Sequence, residues 1–121
     1  MQLNHLNLCV HDLTEACTFF QNHFDFQFLE QRKDAVAVMS DGHGFTLVLS
    51  NPRAFKRELM PYPEDFHVGF LQKTTDQVDK MYHRLLEAGI QLSQKPRNMR
   101  GSYGFYFTAL NDILFEISCP L

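Results

Sequence analysis

Apolar and polar residues alternate over positions 1–10, with Leu6, Leu8 and Val10 on one side and His5, Asn7 and Cys9 on the other, which is the period of a β-strand. The period then lengthens. Leu13, Ala16, Cys17, Phe20 and Phe24 recur at helical spacing, and Asp12 followed three residues later by Glu15 is a capping-box signature, so a helix is predicted to start there. Positions 26–30, 35–39 and 45–50 predict three strands, the last two joined by the turn Ser40-Asp41-Gly42-His43-Gly44. Residues 51–63 carry prolines and no period and read as a linker. The order then repeats. Positions 66–71 predict a strand, Thr74 and Gln77 a second capping box, and Val78, Met81, Leu85 and Leu86 a second helical face that Gly89 can end. Strands over 90–93, 104–108 and 113–118 complete the series.

Strand, helix and three strands, twice over, describe an internal duplication, a first βαβββ module at 1–50 and a second at 64–121. The halves superpose by counting. His5 and His67 lie 62 residues apart, and the same offset sets Asp12 on Thr74. Farther on, the offset grows to 68, which sets Val48 on Glu116 and calls for loop insertions around positions 95–103.

Strand parity decides which side chains can meet, because neighbouring residues point to opposite faces. The apolar face must cover the helix. That face takes Leu6, Leu8 and Val10, then Phe45, Leu47 and Leu49, then Phe66, Val68 and Phe70, then Ile113, Phe115 and Ile117. The opposite face is left with His5, Asn7 and Cys9, then Thr46, Val48 and Ser50, then His67 and Gly69, then Leu114, Glu116 and Ser118. Two imidazoles and a carboxylate thus share one face at repeat-related places. They make a three-ligand set for a divalent cation, with positions left for water or substrate; zinc, iron, manganese and nickel all suit it.

Composition narrows the setting. At 121 residues, 45% hydrophobic and with twelve phenylalanines, the chain has the makings of one packed domain. A net charge of -3 without a basic face excludes nucleic acid as an expected partner. No apolar run reaches the ~20 residues of a membrane span. The start reads as a strand rather than a secretion signal, and Cys9, Cys17 and Cys119 form no close pair, so a cytoplasmic protein with reduced thiols is expected.

The segment Leu3-Asn4-His5-Leu6-Asn7-Leu8 followed by Asp12-Leu13 resembles the opening of vicinal-oxygen-chelate proteins, the superfamily of glyoxalase I, bleomycin-resistance proteins, fosfomycin-resistance enzymes and extradiol dioxygenases. Phe66-His67-Val68-Gly69-Phe70 resembles the start of its second module, and Gly104-Phe105-Tyr106-Phe107 with Leu114-Phe115-Glu116-Ile117 resembles its end. The resemblance implies an α+β fold in which the two modules form a curved mixed sheet around a cavity, with the helices outside. It also implies His5, His67 and Glu116 as metal ligands and a homodimer. In glyoxalase I a fourth ligand comes from the strand that here spans 45–50; this chain has Val48 there, with Thr46 a poor substitute, which argues against glyoxalase I activity. The potassium loop of the thiol-transferring fosfomycin enzymes is not recognisable between Lys95 and Gly104.

Substrate contacts are expected from Arg100, which can hold a carboxylate, phosphonate or enolate through paired hydrogen bonds, and from Tyr103. Tyr106, near Glu116, is the candidate proton donor, while Asn7 and Thr46 share the face of His5. Each has an ordinary alternative, a loop cation or a packed aromatic. His11, His23, His43 and His83 fall in turns or helices and receive no role. Two functions follow: a metal-dependent lyase, transferase or dioxygenase acting on a small molecule through its oxygens, or a protein that binds a drug or metabolite without turning it over. The retained triad favours the enzyme, since a simple binding protein needs no convergent ligands.

Overall fold

The computed structural model describes all residues, Met1–Leu121. It divides into two compact units, Met1–Pro61 and Tyr62–Leu121. The first runs β1 (His5–Cys9), α1 (Leu13–Phe24), β2 (Gln27–Arg32), β3 (Val36–Ser40) and β4 (Thr46–Ser50), then a short 3-10 helix, Pro52–Phe55. The second runs β5 (His67–Leu71), α2 (Thr75–Glu87), β6 (Arg97–Met99), β7 (Ser102–Ala109) and β8 (Ile113–Pro120). Each unit carries its own mixed four-stranded sheet, ordered β1-β4-β3-β2 and β5-β8-β7-β6. The pairs β1–β4 and β5–β8 are parallel and the rest antiparallel. This is the α+β arrangement of two βαβββ modules that the sequence predicts.

The duplication extends to single bonds. Both helices begin at the capping residues the sequence names. Asp12 accepts from the Glu15 backbone N–H and Thr74 from that of Gln77, each at 3.1 Å. Such a cap is worth about 1 kcal/mol, because it satisfies a donor that the first helical turn leaves open. At the far end of the parallel pairs, Val10 N–H donates to the Ser50 carbonyl and Gln72 N–H to the Ser118 carbonyl, both at 2.8 Å. Gly89 ends α2 in the left-handed region, at φ 86°, with Ile90 N–H closing back onto the Leu85 carbonyl.

Each core lies between a helix and one sheet face. In the first unit Leu13, Ala16, Cys17, Phe19 and Phe20 are buried with Leu8, Ala37, Met39, Leu47 and Leu49. In the second, Val78, Met81, Tyr82 and Leu85 are buried with Phe105, Phe107, Ile113, Phe115 and Ile117. The strand faces assigned by parity are therefore the observed ones. Tyr82 takes the place expected of Leu86, which is 48% exposed at the margin of the helical stripe. Residues 90–93 form no strand; the sixth strand is instead Arg97–Met99, paired with β7. Ile90 and Leu92 are half-buried beside exposed Gln91 and Ser93, an alternation that an extended loop produces as readily as a strand.

Candidate metal and substrate site

Strand β5 places His67 and Gly69 on the sheet face turned away from α2, and β8 places Glu116 in register with Gly69. On the other side of Glu116, β7 brings Tyr106 into register with it. Glu116 therefore stands between a residue without a side chain and a phenol. A Cβ on Gly69 would lie 3.7 Å from Glu116 Oε2, so the glycine leaves that oxygen open on one flank. Ser118, the next residue on the same face of β8, donates its hydroxyl to Glu116 Oε2 at 3.1 Å. The Tyr106 hydroxyl donates to the same carboxylate. That hydrogen bond, then burial and the charge of Glu116, holds the Tyr106 phenol above its ordinary range, against an opposing pull from Arg100 and Arg97. The Tyr106 hydroxyl thus holds its proton more tightly than a free phenol. The edge of its ring meets the His67 ring, centroids 5.7 Å apart.

His67 Nδ1 lies 3.0 Å from the Asp65 carbonyl oxygen, which can only accept. The proton is thereby placed on Nδ1, and the lone pair on Nε2. His5, on β1 of the first unit, has the same arrangement, with Nδ1 2.9 Å from Asn4 Oδ1. Both rings are exposed, and each has an oxygen at Nδ1, a backbone carbonyl behind His67 and a side-chain amide behind His5, which leaves Nε2 outward. Imidazole nitrogen and carboxylate oxygen are donor types that suit a borderline divalent cation. No three His, Cys, Asp or Glu side chains of the chain form a group that could hold a metal ion.

Beside Glu116 the second unit has a cavity of about 580 Å³ lined by Arg97, Arg100, Ser102 and Tyr106 among others. Two guanidinium groups, a phenol and a serine, with the Glu116 carboxylate on the same wall, surround one space, and the guanidinium groups are able to hydrogen-bond the oxygens of an anion. Arg100 sits in the left-handed region, φ 42°, followed by Gly101 at φ 87°, so the β6–β7 hairpin turns tightly and both arginines come from it. Gly104 has no freedom to change, since a Cβ there would overlap the Ile117 carbonyl oxygen and the Ser118 side chain. Its bareness lets β7 press against β8 next to the Glu116–Ser118 pair.

Of the residues singled out in the sequence, His67, Glu116, Tyr106 and Arg100 come together in the second unit. His5, Asn7 and Thr46 share a face in the first, where Asn7 Oδ1 accepts from the Ser50 hydroxyl at 2.8 Å. Tyr103 does not join them. It lies three positions from Tyr106, hence on the opposite face, and donates its hydroxyl to Asp79 of α2 at 2.6 Å. Arg97 and Ser118 were not singled out. Ser118 shares the face of Glu116 two residues away, a signal that parity offered, whereas Arg97 stood in a stretch without a period.

The fold has counterparts among known proteins. The model of the Glyoxalase/Bleomycin resistance protein/Dioxygenase superfamily matches residues 2–117, and the chain belongs to that superfamily. It is 36% identical to the structure of a possible glyoxalase from Bacillus cereus, covering 98% of this chain and 99% of that one with a TM-score of 0.85. A lactoylglutathione lyase from Agrobacterium tumefaciens shares the fold at 17% identity, covering 98% and 92% of the two chains, TM-score 0.80. A genomically encoded fosfomycin resistance protein from Listeria monocytogenes, solved with Mn(II) and sulfate, shares it at 20% identity, covering 99% and 90%, TM-score 0.78. Among curated proteins, none matches this chain.

Proposed function

We propose that this protein is a divalent-metal-dependent enzyme that binds a small, oxygen-bearing, anionic substrate, with His5, His67 and Glu116 as its metal ligands. The observation that carries the reading is the preparation of the donors: two histidines with Nδ1 occupied and Nε2 free, and a carboxylate held by Ser118 and Tyr106. Manganese bound to a superfamily neighbour of the same fold supports the choice of a divalent cation, with zinc, iron and nickel as the other candidates. Such a cation supplies Lewis acidity, neutralising negative charge that develops on substrate oxygens. Arg97 and Arg100 hold the anionic group of the substrate. Tyr106, neutral and already a donor, gives a hydrogen bond or a proton to the reacting oxygen. Asn7 and Thr46, on the sheet face of His5, are assigned to substrate contact in the same reading.

The third ligand position belongs to the first unit of the same or of a second copy, and we place the protein in a homodimer. The edge strand β2, exposed along its length and carrying Phe28 at 43% and Leu29 at 56% exposure, supports an assembly that covers it. A monomer in sedimentation at micromolar concentration would remove the dimer. Cys17 and Cys119 are buried free thiols, which fits a cytoplasmic, reducing compartment. No helix is long and apolar enough to cross a membrane.

Metal analysis of protein purified without added metal, repeated on His5→Ala, His67→Ala and Glu116→Gln, tests the site. Stoichiometric metal in the parent and its loss in each variant are expected; retention in all three sinks the ligand assignment. Because Val48 offers no fourth ligand, isomerisation of the methylglyoxal–glutathione adduct should be negligible with zinc, nickel, cobalt or manganese. Turnover near the median enzyme rate of about 10 s⁻¹ with any of them would contradict this.

A further inference from the structure

The run Arg53-Ala54-Phe55-Lys56-Arg57 sets three of the chain's eleven Lys and Arg residues within five positions and holds no acid, although the whole chain has a net charge of -3. The metal-site reading makes no use of it. In the first unit these three cations line one cavity of about 650 Å³, with Glu58 the single acid on its wall and Leu59 and Met60 among its apolar lining. That volume suits a small organic ligand.

The turn that carries the cations is fixed from both ends. Pro52 is buried, and Asn51 N–H donates to the Ala35 carbonyl at 2.8 Å, which ties the turn to the chain just ahead of β3. Asn51 Oδ1 accepts from Arg53 N–H at 3.2 Å. The 3-10 helix then closes, with Arg57 N–H donating to the Pro52 carbonyl at 3.0 Å and Lys56 N–H to the Arg53 carbonyl at 3.1 Å. This closure puts Lys56 in the left-handed region, at φ 57°, where glycine or asparagine is favoured. The backbone gains nothing from a lysine there. The Arg57 guanidinium lies over the Phe55 ring, 5.2 Å from its centroid, and none of the three cations is ion-paired with a carboxylate. Three like charges are thus held together, exposed and without a counter-charge.

We propose that this cavity is a binding site for a small organic phosphate. Arg53, Lys56 and Arg57 donate to the phosphoryl oxygens, and a short apolar body lies on Leu59 and on Met60, which is 65% exposed. A doubly charged group makes use of three donors and outweighs the Glu58 carboxylate, which a monocarboxylate does less well. Three cations on a chain of net negative charge are too few for a nucleic acid or a membrane surface. The site lies wholly within the first unit and is independent of the metal-site reading.

Phenyl phosphate and inorganic phosphate serve as probes, titrated calorimetrically at low salt into full-length protein carrying Arg97→Gln and Arg100→Gln, so that the cavity beside Glu116 does not contribute. Phenyl phosphate should bind at millimolar concentration or tighter, about fivefold better than inorganic phosphate through part-burial of its ring. Adding Lys56→Gly should weaken it about tenfold, the loss of one charge-assisted hydrogen bond. The same variant should melt at or above the temperature of its parent, because glycine relaxes the left-handed turn, so misfolding does not account for the loss. No binding at millimolar concentration, equal affinity for the two probes, or undiminished binding in Lys56→Gly would each overturn the site. Co-sedimentation with phosphatidylglycerol vesicles in place of binding the soluble ester would make the patch a membrane contact and overturn it as well. The comparison of the two probes stands without the lysine variant.

Discussion

At the β7–β8 pairing the second unit holds Tyr106 and Glu116, hydrogen-bonded to each other; at the matching β3–β4 pairing the first holds Val38 and Val48. The frame around the two pairs is the same down to the capping bonds and the closing bonds of the parallel strands. The helix-facing residues on either side are equally buried. What differs is confined to the free face, where a side chain contributes little to the core and can be exchanged at small cost in stability. Duplication therefore provides two copies of a scaffold and one copy of the chemistry. The second unit carries His67, Glu116 and two arginines on its free face, and the first carries His5 with two valines at the matching pairing.

Erasing the difference from the charged side should have the largest effect. Glu116→Val makes the second pair resemble the first, and metal affinity should fall about 100-fold or more, beyond what outer-shell changes cost. The fold should survive, since the first unit is built with valine at this place. Manganese titration and thermal unfolding of the same sample check both halves, and unchanged affinity would mean that Glu116 is not a ligand. Next in size are Tyr106→Phe and Ser118→Ala, which leave the carboxylate in place and remove one of its two holders. Each should weaken metal binding by about 10- to 100-fold, and Ser118→Thr should restore most of the loss. Equal affinity in both variants would show that the carboxylate needs no positioning.

The reverse exchange, Val48→Glu, gives the first unit the carboxylate it lacks. It should tighten metal binding by about tenfold if the position borders the cation. If Val48 is instead closed off by packing, the variant should lose stability, because a buried carboxylate without a partner is costly. Thermal melts with and without manganese separate the two.

The sequence made the frame legible because frame and sequence obey the same periods. Asp12 and Thr74 mark helix starts, Gly89 a helix end, and strand parity sorts Leu47 from Val48 and Phe115 from Glu116. His67, Glu116 and Tyr106 could be set on one sheet face for that reason. Arg97 was not, since a three-residue edge strand is too short to show alternation, and Ile90 and Leu92 mimicked a strand that hydrogen bonding does not form. Tyr103 looked like a partner of Tyr106 by chemistry, although an odd separation along a strand sends the two to opposite faces. Chemistry without parity misplaced it. The geometry of the histidine outer shell, a carbonyl behind one ring and an amide oxygen behind the other, has no sequence signature.

The smallest effect is expected from Tyr103, which separates the supporting face of the second unit from its working face. Its hydroxyl ties β7 to Asp79 of α2, and that hydrogen bond, followed by burial and the charge of Asp79, raises the phenol above its ordinary value. Tyr103→Phe should lower stability by about 1 kcal/mol or less, since the pair is partly solvated, and should leave metal affinity unchanged. The sign of the pH dependence follows from the raised value. In the folded protein the proton is held more tightly than in the unfolded chain, so the contribution is fully present below the unfolded phenol value of ~10. It is lost as pH rises through the higher folded value. The stability gap between parent and Tyr103→Phe should therefore stay constant from pH 7 to 9 and close above about pH 10. Urea unfolding at a series of pH values reads this directly. A gap that widens in alkali, or a change in metal affinity at pH 7, would place Tyr103 with the working residues after all.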